Sequence, residues 1–497
     1  MYSIRKTKTA SKSTAIQVVS YCNRKVVLEK HIGSAKTEEE IEVLNELAKV
    51  WIDENTNQSN LFSVLEKPRN DLLLEKYEYL GSFPTFVYEV LSKLLNNFGF
   101  EISTNQLLFD LVIMRIIQPA SKLRSLELIQ EYFGISHRRQ TFYEQISKLV
   151  EYKDIAEKVI TDVAVREFGF NFSLVFYDVT TLYFESFKSD ELRKNGFSKD
   201  NKFNQPQIVI GLVVNNLGFP VTYEVFEGNK FEGHTILPVI LSFKEKHKIE
   251  VLTVVADAAM ISYENIKQLE KNNLKYIVGA RIGNLSKDLI QEISSKLEQK
   301  DRATLKIQTP HGTLICEFSQ KRFKKDTYEL SKGLARAEFL LKNQAGLKRN
   351  KFLKHVSKTD FKLNTDLIEK NTLLLGIKGY YSNLRDDFSN EYIIQRYHEL
   401  WHVEQAFRIS KHDLEMRPIY HFKESSIRVH ILMCFIALAV SKYIEIKTEK
   451  SLQHVITSLL SITDAHLLNS ITKTKVIKRV SISNDTKFLL KKLSMSY

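Results

Sequence analysis

Cysteine is scarce in this 497-residue chain. Its three, Cys22, Cys316 and Cys434, stand too far apart to frame a disulfide scaffold or a zinc ribbon, which suits a reducing cytoplasm. Long apolar runs are missing as well. The most apolar stretch, Ile431 to Val440, is about half the length that spans a bilayer, and Arg428, His430 and Lys442 flank or enter it. It reads as a buried core helix, with no membrane partner. The amino terminus is basic but no apolar segment follows, so a secretory signal is not expected and the protein should stay in the cell. Internal repeats and low-complexity tracts are absent, which argues against a repeat architecture.

What is present is length, apolar content and positive charge. A chain of 57.8 kDa exceeds the size at which one core stops growing, so several domains are expected, and 43% hydrophobic residues can fill them. Lys and Arg number 72 against 59 Asp and Glu, for a formal charge of +13 and a pI near 9.2. That excess favours a polyanionic partner through phosphate neutralisation and counterion release.

Hydrophobic period divides the chain. Residues 1–59 read as a hairpin turning at Asn23-Arg24, then a helix opened by Thr37-Glu-Glu-Glu with acidic residues in its first turn. Residues 60–167 have helical spacing and form an expected DNA-binding region. Within it, Leu126 to Phe133, the break Gly134-Ile135-Ser136 and the segment from His137 to Val150 fit a helix-turn-helix that would place Arg138, Arg139, Gln140 and Tyr143 on DNA; an ordinary helix pair is the alternative. From 168 to 283 the period becomes that of strands: a run carrying Asp178, then Gln207–Asn215 and Phe219–Phe226 about the turn Asn216-Leu217-Gly218. Helices near 235–247 and 263–272 lead into and out of a strand ending at Asp257. Three strands in hairpin order followed by alternating helices and strands is the order of an α/β ribonuclease-H-like core. Residues 284–372, lysine-rich with a hairpin about Pro310-His311-Gly312, read as a β-rich insertion; the core resumes over 373–445, and 446–497 reads as a basic tail.

Three carboxylates stand out. Asp178 and Asp257 close strand-like runs, and strand ends open into the crevice of an α/β sheet. Glu404 lies in Tyr397 to Lys411, a stretch without Gly or Pro that should be helical. With Tyr397 at zero, Trp401 falls at about +40°, Glu404 at about −20°, Arg408 at about +20° and Lys411 at about −40°, one narrow face. Leu400, Val403, Phe407 and Leu414 gather beside it as the face for the sheet. Carboxylates are hard ligands suited to Mg²⁺, and two ions about 4 Å apart can activate a hydroxyl and stabilise a leaving oxygen.

The same helix contains His398-Glu399-Leu400-Trp401-His402, a match to the HExxH zinc-protease pattern. Its extended form would need Gly and His where the chain has Gln405 and Arg408. On the wheel His398 and His402 sit at about +100° and +140°, away from Glu404. A zinc metalloprotease is therefore one alternative function, and a catalytically inactive DNA-binding relative is another.

These residues resemble the bacterial insertion-sequence transposases of the DDE type, in the branch with a Tyr-Arg-Glu-Lys signature. The resemblance runs through Tyr177-Asp178-Val-Thr-Thr-Leu-Tyr-Phe, Phe226-Glu-Gly-Asn229, Val255-Ala-Asp257-Ala-Ala-Met and Tyr397 to Pro418, and takes in the amino-terminal hairpin and Pro119-Ala-Ser-Lys122. It implies that Asp178, Asp257 and Glu404 are the catalytic, metal-binding triad for two Mg²⁺ ions, with Mn²⁺ able to substitute. Tyr397 and Lys411 match their signature positions and would hold DNA phosphates, while the arginine position is occupied by Leu400. Arg408 or Arg396 could supply that charge. The implied partners are double-stranded DNA, as terminal inverted repeats and target, and a second copy of the chain on DNA; the implied place is the bacterial cytoplasm, at the nucleoid.

Overall fold

In the computed structural model, residues 2–10, 13–22, 25–55, 76–197, 204–260, 262–310, 312–343, 350–356 and 361–497 are described. The chain forms two units. The first takes residues 1–90, 132–134 and 456–497; the second takes 91–131 and 135–455.

In the first unit, β1 (Tyr2–Lys8), β2 (Thr14–Cys22) and β3 (Lys25–Ala35) make an antiparallel sheet. The last two strands are the expected hairpin, whose turn at Asn23-Arg24 lies outside the described residues. Helix α1 (Glu38–Asn55) starts in a reciprocal cap: the Glu40 backbone N–H donates to Thr37 Oγ1 at 3.3 Å, and the Thr37 N–H donates to Glu40 Oε2 at 3.4 Å. Leu44 and Ala48 on that helix close over Ile16, Val18 and Ala35. Strand β4 (Tyr77–Phe83) belongs to a second sheet, completed from the far end of the sequence.

Helices α2 (Thr85–Phe98), α3 (Gln106–Ile117), α4 (Lys122–Phe133), α5 (Arg139–Glu151) and α6 (Lys153–Phe168) follow the helical spacing of their sequence. The second unit is built on an eight-stranded mixed sheet. Its strands are β5 (Leu174–Tyr183), β6 (Gln207–Val214), β7 (Pro220–Glu227), β8 (Leu252–Ala256), β9 (Leu274–Ala280), β10 (Thr304–Thr309), β11 (Gly312–Phe318) and β14 (Ile377–Ser382). They lie in the order β10-β11-β14-β9-β8-β5-β6-β7. The segment β7-β6-β5-β8-β9 has the order expected of the ribonuclease-H-like core, with β5, β8 and β9 parallel and β5, β6 and β7 antiparallel. The β6–β7 turn is set by local chemistry: Gly218 takes φ +76°, and Asn215 Oδ1 accepts from the N–H groups of Leu217 and Phe219, each at 2.9 Å. Helices α7 (Ile236–Lys246) and α8 (Tyr263–Lys271) fall where the sequence puts them.

Two expectations need correction. Residues 284–372 carry more helix than strand: α9 (Lys287–Lys296), the 24-residue α10 (Gln320–Asn343) and α11 (Thr365–Leu373) accompany β10, β11 and the short ribbon β12 (Leu353–His355) with β13 (Phe361–Leu363). In α10, Leu330, Leu334, Ala337 and Leu341 recur at helical spacing and pack around Phe352 and Leu353, so the lysines occupy the solvent face of a helix. The strands β10 and β11 extend the main sheet beyond β14. Residues 446–497 are folded too, as α15 (Leu452–Leu460), β15 (Asp464–Asn469), β16 (Lys475–Arg479) and α16 (Asn484–Lys492). In the first unit β15 pairs antiparallel with both β16 and β4.

Between these lie α12 (Asn390–His398), α13 (Trp401–Arg408), a π-helical turn at Ile409–Asp413 and α14 (Glu424–Thr448). By length and composition α14 is the one helix among the described residues that could cross a membrane, yet 89% of its most apolar window is buried. It is the core helix the sequence suggests.

Candidate active site

Strands β5 and β8 run parallel with Tyr177 opposite Ala256, so the next residues, Asp178 and Asp257, stand at the same level. Neighbouring strands are about 4.8 Å apart, which makes the two carboxylates neighbours by register alone. Strand β5 continues to Tyr183 on β6, so Asp178 lies within a strand, at the point where β8 stops covering it. After Asp257 the chain turns away through Ala258–Met260, leaving Asp257 exposed at the sheet's end.

The helical layer brings the third carboxylate. Helix α12 begins at Ser389, whose hydroxyl accepts from the Tyr392 N–H at 3.2 Å, and it buries Ile393, Ile394 and Tyr397. Residues 397 to 411 are not one helix, as their composition suggests. The chain tightens at Glu399-Leu400, where N–H groups reach back three residues (Leu400 to Tyr397, 3.1 Å; Val403 to Leu400, 3.0 Å). It relaxes into α13 and then widens at Ile409–Asp413. The wheel is therefore broken: Tyr397 is 7% exposed and Trp401 52%, although a straight helix would set them about 40° apart. Glu404, in the first turn of α13, is exposed.

Asp257, Tyr397, Leu400, Glu404, Arg322 and Lys378 line one cavity of about 430 Å³. The Tyr397 hydroxyl donates to Asp257 Oδ1 at 3.0 Å. Burial raises the tyrosine's pKa, and so do the charges of Asp257, Glu404 and Asp178. Gly279 on β9 makes room for it, since a Cβ there would stand 2.5 Å from the Tyr397 oxygen. The Lys378 ammonium lies 4.6 Å from the Tyr397 ring centre and 5.4 Å from that of Tyr380, a cation beside two aromatic rings. Burial and then Arg322 push its pKa down, while Asp257, Glu317 and Glu404 oppose the shift.

Sequence reasoning missed Arg322 and Lys378. A lysine inside the apolar run Ile377–Ser382 is a signal that could have found the second; Arg322, among the lysines that open α10, carries none. Leu400, in the signature's arginine position, is buried and lines this cavity. Arg408 is exposed on the last turn of α13 and close enough to Lys442 to lower that lysine's pKa, and Lys411 is half-buried in the π turn; neither lines the cavity. Arg396 pairs with Glu399 at 2.9 Å. Arg138, Arg139, Gln140 and Tyr143 are exposed about the start of α5.

The two histidines of HELWH separate. His398 Nε2 meets the Tyr380 hydroxyl at 3.2 Å, and Glu317 at 3.9 Å, while His402 packs against Gly218 in the β6–β7 turn. With Glu399 on Arg396, the zinc-protease arrangement is not formed. Among the described residues no three His, Cys, Asp or Glu side chains stand at metal-ligand spacing, so Asp178, Asp257 and Glu404 are not closed into a cage. Their oxygen donors fit a hard divalent ion.

A mixed sheet with two aspartates on adjacent parallel strands and a glutamate on the covering helix defines a class of α/β proteins. Residues 170–440, more than half of the chain, match the family described as "Transposase DDE domain", and the chain belongs to that family. Comparison with curated proteins finds no match. Among solved structures, the chain is similar to the piggyBac transposase synaptic complex with hairpin DNA (10% identity, 76% of this chain and 77% of that one, TM-score 0.39). It is also similar to the Mos1 transposase paired-end complex with left transposon end (10% identity, 48% and 66%, TM-score 0.16).

Proposed function

We propose that this chain is a DNA transposase that cuts the ends of an insertion sequence and joins the freed 3′-hydroxyl to target DNA. The observation that carries this reading is that Asp257 and Glu404 line one cavity with Lys378 and Arg322, while Asp178 stands level with Asp257 on the neighbouring parallel strand. Asp178, Asp257 and Glu404 would hold the divalent ions, Mg²⁺ or Mn²⁺. Such ions, when bound, activate the attacking water or 3′-hydroxyl and stabilise the leaving oxygen. The chain's own groups do the rest. Tyr397 orients the Asp257 carboxylate through its hydrogen bond. Lys378 and Arg322 supply, from β14 and α10, the positive charge that Leu400 lacks, and hold a phosphate against the carboxylates. Arg408 and Lys411 contact DNA outside the cavity, and the start of α5, with Arg138 and Arg139, is a second DNA-facing surface. The net charge of +13 supports a double-stranded DNA partner. Two copies would pair the two element ends, in the bacterial cytoplasm.

The test uses a duplex carrying the inverted repeats that flank the gene, with Mg²⁺ or Mn²⁺. The wild type should nick it at the element end, and Asp178→Ala, Asp257→Ala and Glu404→Ala should bind it without cutting. Binding without cutting by the wild type in both metals would favour the inactive relative, and robust cutting by any one variant would remove that residue from the site.

A further inference from the structure

Two segments of the resemblance, Pro119 to Lys122 and Leu414 to Pro418, have no part in the active site, yet they meet. Arg115, Lys122, Glu415, Arg417, His421 and His430 line a cavity of about 90 Å³, together with Ala120 and Ser121 at the start of α4. Five of these side chains are basic and one is acidic. Arg115 and His430 are each 4% exposed and Lys122 is 7% exposed. Their contacts leave capacity unused. Arg115 Nη1 reaches the Leu414 carbonyl at 3.5 Å, while its buried Nε has no hydrogen-bond partner. His430 Nε2 donates to the Met416 carbonyl at 3.0 Å, and its buried Nδ1 has none. Among the described residues, Lys122 Nζ has only the Ser426 carbonyl at 3.4 Å and the Phe142 ring at 4.2 Å.

Buried cations without counter-charges are costly, and proteins keep them where an anion or metal completes the site. Metals are repelled here, since Arg and Lys cannot ligate while charged. A tetrahedral oxyanion fits: it would accept from Arg115 and Lys122 and would meet the positive end of the 12-residue α4. Exposed Ser121, Glu415 and Tyr420 line the same cavity and leave it open to solvent. The segment that carries it follows Glu404 through the π turn, and beyond it Ile419 N–H donates to the Tyr183 carbonyl at the end of β5, the strand of Asp178.

We propose that this cavity is a phosphate-binding site that takes one backbone phosphate of DNA lying across the catalytic unit. The inference rests on the transposase reading for its ligand and not for its chemistry. The test therefore has an arm without DNA. In thermal unfolding of the full chain, sulfate should raise the melting temperature by at least about 2 °C more than chloride at equal ionic strength. Lys122→Met, which keeps the stem over Phe142, should abolish that difference, and Lys122→Arg should retain it. In the DNA arm, Lys122→Met should lower the slope of log binding against log salt by about one. Variant-dependent sulfate stabilisation with an unchanged DNA slope would assign the site to a free phosphate and overturn the DNA source. An equal sulfate response in the wild type and Lys122→Met would overturn the site. Loss of cleavage in Glu404→Ala is read separately, so failure of the catalytic reading cannot be mistaken for failure of this one.

Discussion

Lys378 and Lys122 are the same residue in two cavities of opposite character. Both are drawn out of water, and burial is the first cause that lowers each pKa. Around Lys378 the carboxylates of Asp257, Glu317 and Glu404 oppose that shift. Around Lys122 no carboxylate does; Arg115 adds to the shift and the ammonium falls to about 7. The first cavity balances two cations with two carboxylates and can fold before any ligand arrives. The second is completed only by what it binds. Charge balance thus separates the cavity proposed for chemistry on a phosphate from the one proposed to grip it.

The largest effect that would sharpen this contrast is on cleavage. Glu404→Gln keeps the volume and removes the charge, and should reduce strand cutting by roughly a thousandfold or more, the loss of several kcal/mol of transition-state stabilisation. Lys122→Met should leave more than a tenth of the cutting rate at saturating DNA. A gel assay on one duplex measures both, and equal losses would erase the distinction.

Next in size, Lys378→Met should cut the cleavage rate by about 10- to 100-fold and lower the salt slope by about one. Arg322→Ala should act in the same direction. Gly279→Ala would press a methyl on the Tyr397 hydroxyl; it should destabilise the protein by about 1–3 kcal/mol and weaken cleavage, readable by chemical denaturation beside the gel assay.

A pH series separates the cavities by stability. His421 is pushed down to about 3 by burial, then by Lys122 and Arg115, and Lys122 itself to about 7. Between about 3 and 6.5 the unfolded chain holds the histidine proton that the folded chain lacks, and between about 7 and 10.5 the same is true of the Lys122 proton. Stability from these groups therefore rises with pH through both windows and is lost on acidification. His430, which burial also pushes well below its ordinary value, keeps that sign; Arg115, Arg417 and Glu415 line the same cavity. In chloride buffer Lys122→Met should flatten the upper window. A melting temperature of the wild type that falls from pH 7 to 9 would contradict this. Smallest of all, Arg408→Ala should change end binding only a few-fold, with one unit of salt slope at most, because its side chain stands in solvent outside the cavity.

Much of the catalytic unit was legible because its signals are local. The Gly218 turn, the period-2 strands and the apolar centre of α14 each declare themselves within a dozen residues, and so do the strand-like runs that carry Asp178 and Asp257. What escaped the sequence depends on distant partners. The tight turn at Glu399-Leu400 has no Gly or Pro to announce it; Arg322 and Lys378 come from other elements to the cavity that Glu404 lines; and the lysines of α10 hide a helix whose apolar stripe needs Phe352 and Leu353 to have a purpose. The carboxy-terminal segment was misread for the same reason, since β15 makes sense only beside β4.

That last pairing has a consequence for synthesis. The Thr85 hydroxyl donates to Asp464, 379 residues further along. At ribosomal speeds of about 5–20 residues per second, β4 waits roughly 20–80 s for its neighbour to emerge. During that interval the strands of the catalytic sheet have all left the ribosome, while the first unit still shows an open edge. A chaperone that covers β4 on the nascent chain, or a message that stops short of β15, would thus govern how much finished protein a cell makes without touching a single catalytic group.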